Sequence, residues 1–325
     1  MSRKRWISLG LASAMVAGFA GAGTAGQAVR VDEGIPAYQP VGGVSGNLSS
    51  MGSDTMNNLM TYWMEAFEKY YPGVVTQVEG KGSGTAIPAL IQGQAQFGPM
   101  SRPAKGTEID SFESKFGYKP TFLRTAVDAL AVFVHKDNPV PSLSLTQLDQ
   151  IFSKSLRRGG RAVRTWGDLG LTGEWAGRPI SIYGRNSASG TYGFFKEHVL
   201  KNGDYKDEVK EQPGSASVVL GVTTDRYSIG YSGIGYVTSG VRAVPLHEEG
   251  AAPVPATAEK AYSGEYPLAR FLFVAINRPP GRPLDPLVRE FVRLILSREG
   301  QEIVVKDGYF PIPASIAREE LKKIE

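Results

Sequence analysis

Ile180-Ser181-Ile182-Tyr183-Gly184-Arg185-Asn186-Ser187-Ala188-Ser189-Gly190-Thr191 runs from a strand-like segment beginning at Pro179, through a loop of small polar residues, into a helix expected over Ser189 to Leu200. The backbone amides of a first helical turn lack intrahelical partners, and the helix macrodipole adds about half a positive charge there. Glycine, serine and threonine side chains let a tetrahedral oxoanion approach those amides closely. Arg185 stands four residues before Ser189, so its guanidinium is placed either for a bidentate fork on such an anion or for a surface ion pair. The unit is strand, anion-ready loop, helix.

The unit recurs along the chain. Met56, Leu59, Met60, Trp63, Phe67 and Tyr70 follow helical spacing after Gly52-Ser53-Asp54-Thr55, with Ser53 or Asp54 as the cap and Pro72-Gly73 as the stop. Val74 to Val78 reads as a strand, and Gly80-Lys81-Gly82-Ser83-Gly84 leads into a short helix from Thr85 to about Gln92. Further helices are expected at Thr107 to Phe116, at Thr146 to Phe152 and through Leu287, Phe291, Leu294 and Ile295. Thr125 to His135, broken only by Asp128, and Leu268 to Ile276 suit strands buried on both faces, and Ile229 to Val237 reads as a glycine-rich strand. This alternation predicts α/β architecture with mainly parallel sheets. Serine and threonine cap helices in any α/β protein, so one such loop says little; three together point to an anion.

Composition excludes several alternatives. The 325 residues contain no cysteine, which removes disulfides, thiolate metal sites, cysteine nucleophiles and a lipid anchor on an N-terminal Cys. Three histidines make a histidine-rich metal centre an unlikely design, and neither a metal nor a cofactor is expected. Arg3, Lys4 and Arg5 precede an apolar run from Trp6 to Ala20, shorter than a membrane span, and Gly26-Gln27-Ala28 offers a cleavage site. Residues 1–28 therefore read as a secretory signal, and 29–46 as an irregular leader. Cleavage removes three cations and no acid, so the formal charge of +4 falls to +1, which gives no support for nucleic-acid binding.

The run from Gly184 to Thr191 resembles the Arg-x-x-x-Ser-Gly-Thr signature of periplasmic phosphate-binding proteins that serve phosphate ABC transporters. Gly52-Ser53-Asp54-Thr55-Met56, Gly82-Ser83-Gly84-Thr85, Phe97-Gly98-Pro99-Met100-Ser101-Arg102-Pro103 and, near the end, Ser297-Arg298-Glu299-Gly300-Gln301 with Gly308-Tyr309-Phe310-Pro311-Ile312 follow in that family's order, so the likeness spans Val44 to Ile312. It implies a two-lobed periplasmic-binding-protein fold of type 2, each lobe a central mixed sheet flanked by helices, with the ligand cleft at the hinge. The lobes are expected at 47–130 with 268–325, and at 131–267, the two buried runs forming the crossings. It implies inorganic phosphate as ligand, permease subunits of an ABC transporter as partner, a monomer, and a periplasmic location. Phosphate contacts are implied for Asp54, Thr55, Ser83, Gly84, Thr85, Ser101, Arg102, Arg185, Ser189, Gly190 and Thr191.

One position departs from the pattern. Where members of that family carry an Asp that accepts the phosphate proton and so rejects sulfate, this chain has Ser101 followed by Arg102; Asp54 stands where others have a hydroxyl residue. Asp54 is either the replacement acceptor or an N-cap of the Met56 helix. The competing functions are capture of sulfate or another oxoanion, phosphate sensing, and a phosphate-handling hydrolase. For the last, Ser189 and His198 lie nine residues apart along one expected helix, roughly 13 Å of rise, too far for a nucleophile and its base. The Gly-x-Ser-x-Gly elbow is missing, and Lys81 precedes its glycines where a P-loop lysine follows them. Trp63, Trp166 and Trp175 read as packing residues.

Overall fold

A computed structural model describes residues 29–325; the expected signal segment, 1–28, lies outside them. In chain order, the first part comprises β1 (Gly46–Met51), α1 (Asn57–Tyr70), β2 (Val74–Glu79), α2 (Ala86–Ile91), β3 (Phe97–Met100), α3 (Gly106–Phe116) and β4 (Thr121–His135). Next come β5 (Leu143–Ser144), α4 (Leu145–Phe152), β6 (Ser181–Arg185), α5 (Gly190–His198), β7 (Lys210–Gln212), α6 (Ser215–Thr224), β8 (Ser228–Gly233), β9 (Val241–Ala243), β10 (Leu246–His247) and α7 (Ala258–Tyr262). The chain closes with β11 (Ala269–Ile276), α8 (Pro286–Ile295), α9 (Arg298–Lys306) and α10 (Ala314–Lys322).

Nine strands form one sheet in the order β2-β1-β3-β11-β4-β8-β6-β7, with β9 also on β4, and β5 and β10 pair apart from it. The sheet is mixed, as the family resemblance implies, and less uniformly parallel than the alternation alone suggests: β1 pairs with β2 and β3, and β6 with β7 and β8, in parallel, but β11 runs antiparallel to β3 and β4, and β4 antiparallel to β8 and β9. The cause is β4 itself. Its first part, Thr121 to Ala129, pairs with β11, and its second part, Leu130 to His135, continues into pairing with β8 and β9, so one long strand joins the two halves of the sheet. The glycine-rich strand ends at Gly233, and Ile234–Tyr236 is a 3₁₀ turn.

Two large apolar clusters lie along this sheet. Leu48, Met60, Trp63, Phe67, Phe97, Phe291 and Ile295 belong to the first, and Leu148, Phe152, Trp166, Phe195, Tyr231 and Leu246 to the second. β4 feeds both, with Leu123 and Ala126 in the first and Leu130, Val132 and Val134 in the second. Full burial of one such side chain contributes about 1.5–3 kcal/mol. The periodicity of α1 follows: Leu59, Met60, Trp63 and Phe67 are buried, whereas Tyr70 stays exposed at the helix end. The tryptophans pack as expected, Trp63 donating through Nε1 to the Gly300 carbonyl and Trp166 to that of Tyr227.

Asp307, just after α9, has a buried Oδ2 without a hydrogen-bond partner, and burial pushes its carboxyl up to about 7 from an ordinary 3.8. Between those values the folded protein holds a proton that the unfolded chain has released. Stability is thus fully present below about 3.8, declines as pH rises, and has lost this contribution above about 7. Asp307→Asn is expected to melt above the parent at pH 8, with the advantage shrinking by pH 5. An equal difference in thermal midpoint at both pH values contradicts this.

Candidate anion-binding site

Four chain segments converge on one buried group of hydroxyls. Ser53 lies after β1, Ser83 in the turn before α2, Ser101 after β3 and Thr191 in the first turn of α5; all are at most 1% exposed. Ser53 Oγ donates to Ser101 Oγ at 2.9 Å, the Ser101 amide donates to Ser83 Oγ at 3.0 Å, and the Thr55 and Thr191 hydroxyls lie 2.7 Å apart. Ser101 Oγ stands 3.5 Å from Thr191 Oγ1, which ties the loops of the first part of the chain to the start of α5. Ser189 is the N-cap of α5, accepting from the Tyr192 amide, so the helix begins one residue later than the sequence suggests. Tyr236 and Tyr309 donate to the carbonyls of Asp54 and Thr55, fixing the first loop from beneath.

Backbone approaches backbone here. Gly82, at φ +107°, lies so close to the Ala188 carbonyl that a Cβ would stand 2.5 Å from its oxygen, and the Gly84 amide donates to that same carbonyl at 3.1 Å. A Cβ on Gly190 would meet Ser83 Oγ at 2.2 Å and Ser101 Oγ at 2.6 Å. Only glycine allows the start of α5 to meet the opposing loops at this distance.

Two buried guanidiniums, each paired with a carboxylate, flank the hydroxyls. Arg185, 1% exposed, donates from Nη1 to Ser215 Oγ at 2.7 Å and from Nη2 to the Pro213 carbonyl, while Nη2 stands 3.2 Å from Asp54 Oδ2. Its Nε is buried without a partner, a donor suited to an anion. Burial lowers the Arg185 pKa, and the Asp54 charge opposes that shift. On the other side Arg270 forks onto Asp128 Oδ2 from Nε at 2.9 Å and Nη2 at 2.8 Å. It also donates to the Ser101 carbonyl at 2.7 Å and to Thr191 Oγ1 at 3.0 Å. Burial raises the Asp128 carboxyl, against the pull of Arg270 and the Ile234 amide.

The expected residues divide. Thr55, Ser83, Ser101, Ser189, Gly190 and Thr191 gather around the cluster, with Arg185 and Asp54 at its edge. Three of the expected contacts are placed otherwise. Arg102 does not join: its two Nη atoms bond the Glu108 carboxylate at 2.8 and 2.7 Å, because Glu108 in the first turn of α3 offers a fixed partner six residues on. Thr85 Oγ1 turns back onto the Gly82 carbonyl, and the Gly84 amide is taken by Ala188. Asp54 is not the cap of its own helix: its Oδ2 accepts at 2.7 Å from the Ser215 amide at the start of α6, a helix distant in sequence.

Sequence reasoning passed over Asp128 and Arg270 as site residues, and Ser215 entirely. The signal for the pair was a lone charge within each of the two apolar runs Thr125 to His135 and Leu268 to Ile276, the two residues directly opposed in the β4–β11 register. For Ser215 it was Gly214-Ser215 ahead of a segment whose valines and threonines argue against a helix. The arrangement holds donors and paired charges, without a base beside a hydroxyl. Each histidine bonds elsewhere: His135 accepts from the Asp137 amide, and His198 and His247 contact the carbonyls of Phe194 and Glu248.

Comparison with known proteins gives the chain's family. Residues 37–299 match the model of the PBP superfamily domain. A phosphate-binding protein PstS of Pseudomonas aeruginosa is 53% identical over 94% of this chain and 95% of its own length; one from Staphylococcus haemolyticus is 28% identical over 87% and 86%. A Clostridium perfringens protein, solved with bound phosphate as a candidate phosphate ABC transporter substrate-binding protein, superposes with a TM-score of 0.70 at 27% identity, covering 82% of this chain and all of that one. An ABC-type phosphate transport receptor from Vibrio cholerae shares the fold, with a TM-score of 0.63 at 21% identity over 82% of this chain and all of its own. The chain belongs to the PBP superfamily and, within it, to the family of phosphate-binding proteins PstS.

Proposed function

We propose that this protein captures inorganic phosphate in the periplasm and hands it to the permease subunits of an ABC importer, acting as a monomer whose two lobes, 47–130 with 268–325 and 131–267, close on the anion. One observation carries the reading: buried hydroxyls from three loops and the start of α5, beside a buried arginine with an unpartnered Nε, converge where backbone meets backbone. The relatives are named as phosphate-binding proteins. Thr55, Ser83, Ser101, Ser189, Gly190 and Thr191 supply hydroxyls and amides, and Arg185 the compensating charge. Export rests on the signal reading of 1–28; among the described residues no helix is long and apolar enough to cross a membrane.

A second reading, sulfate or another oxoanion, draws on Ser101 standing where an acid is expected. Sulfate and dibasic phosphate share size and charge, so strong discrimination needs a group that accepts the phosphate proton. Asp54 meets that need if Oδ1 does so, since Oδ2 is committed to Ser215 and Arg185 and, among the described residues, Oδ1 accepts no hydrogen bond. Asp54→Asn keeps an oxygen for the Ser215 amide and removes the repulsion of an unprotonated anion. It is expected to tighten sulfate by at least about tenfold, since relieving one like-charge contact is worth from about 1 kcal/mol in water to about 4 kcal/mol near a protein surface, and to narrow its gap from phosphate. Calorimetric titration of parent and variant with both anions decides: an unchanged ratio assigns Asp54 to bridging α6 alone, and a parent that prefers sulfate overturns the phosphate reading.

A further inference from the structure

We infer that Arg270, held by Asp128 across the two central strands, is a positioning residue that fixes the Thr191 hydroxyl as a donor toward the bound anion. This inference rests on the site proposed above. Arg270 and Asp128 are register partners on β11 and β4, 6% and 0% exposed. The carboxylate occupies Nε and Nη2 of the guanidinium while its Oδ1 accepts from the Ile234 amide at 3.0 Å. So restrained, and with its Cζ 5.2 Å from the Phe194 ring centroid, the guanidinium presents Nη2 to Thr191 Oγ1 and Nη1 to the Ser101 carbonyl.

The consequence follows from what a hydroxyl carries: one proton to give and lone pairs to receive. Guanidinium never accepts, so the Arg270–Thr191 bond has one direction, and the Thr191 proton points away from Arg270. On that side lie Thr55 Oγ1 at 2.7 Å and Ser101 Oγ at 3.5 Å, the hydroxyls of the anion cluster. Thr191 is thereby turned into a donor before any ligand arrives, and the cost of orienting it at the moment of binding is removed. Arg270 acts through Thr191 and the Ser101 backbone, its own charge balanced by Asp128, whereas Arg185 supplies charge at the opposite edge.

A double-mutant cycle on the full mature protein, read by phosphate calorimetry, tests this. Arg270→Lys retains a cation for Asp128 but lacks the fork that reaches Thr191 and Ser101 together. It is expected to weaken phosphate by about tenfold, within the range of coupled contacting residues. Thr191→Val keeps the shape and removes the hydroxyl; in that background Arg270→Lys is expected to add less than about twofold. Equal factors in both backgrounds overturn the inference and leave Arg270 a structural ion pair. Should Arg270→Lys fail to fold, Asp128→Glu, which keeps both charges and shifts the guanidinium by one methylene, enters the same cycle with the same expected loss of effect in Thr191→Val. If the parent itself binds no phosphate, the site reading fails; if the parent binds and the cycle is additive, only the role of Arg270 does.

Discussion

Gly190→Ala is expected to weaken phosphate binding by about a hundredfold while leaving the protein folded. The added methyl would stand 2.2 Å from Ser83 Oγ, 2.6 Å from Ser101 Oγ and 2.8 Å from Ser83 Cβ, with no long flexible side chain to give way. Forcing apart a well-packed contact costs about 1–3 kcal/mol, and the upper end corresponds to roughly a hundredfold in affinity. The damage lies where the start of α5 meets the Ser83 and Ser101 loops, outside both large apolar clusters. The ligand-free thermal midpoint is therefore expected to stay within a few degrees of the parent, while calorimetry records a loss of about a hundredfold. Parent-like affinity means that Ser83 and Gly190 do not face each other around the anion.

Arg185→Ala is expected to weaken phosphate by at least about tenfold, since a charged hydrogen bond contributes about 1.5–3 kcal/mol. The guanidinium is held before binding by Ser215 Oγ, the Pro213 carbonyl and Asp54, so little is spent in ordering it. Arg185→Lys is expected to restore only part of the loss, because an ammonium cannot satisfy Ser215, Pro213 and Asp54 and also offer the Nε donor. Lysine binding as tightly as arginine contradicts recognition through the Nε donor of a guanidinium held at its other two nitrogens. The alanine variant leaves Asp54 without its ion pair, and a modest drop in thermal midpoint is the expected accompaniment.

Much of this site was legible in the sequence because its parts are local. A strand followed by Gly, Ser and Thr before a helix is a pattern of adjacent residues, and Ser83, Ser189, Gly190 and Thr191 were found by it, whereas Ser101 came only from the family resemblance. Contacts set by tertiary packing were not legible. Arg102 looked like a second ligand cation, yet a glutamate six residues on takes it. Asp54 looked like the cap of the following helix but bonds the first amide of α6, 161 residues away. The sheet shows the same division: each β-loop-α unit was readable, whereas the antiparallel centre arises from one strand that joins the two halves of the sheet and a late strand, β11, that returns beside it. Asp128 was visible as the polar break in β4, but its partner emerged only once register set Arg270 opposite.

The central claim, one phosphate held by this cluster, is tested most directly by calorimetric titration of the ligand-stripped mature protein with phosphate near neutral pH and without added metal. The account predicts saturable binding with a stoichiometry of about one. A clean absence of binding under those conditions contradicts it.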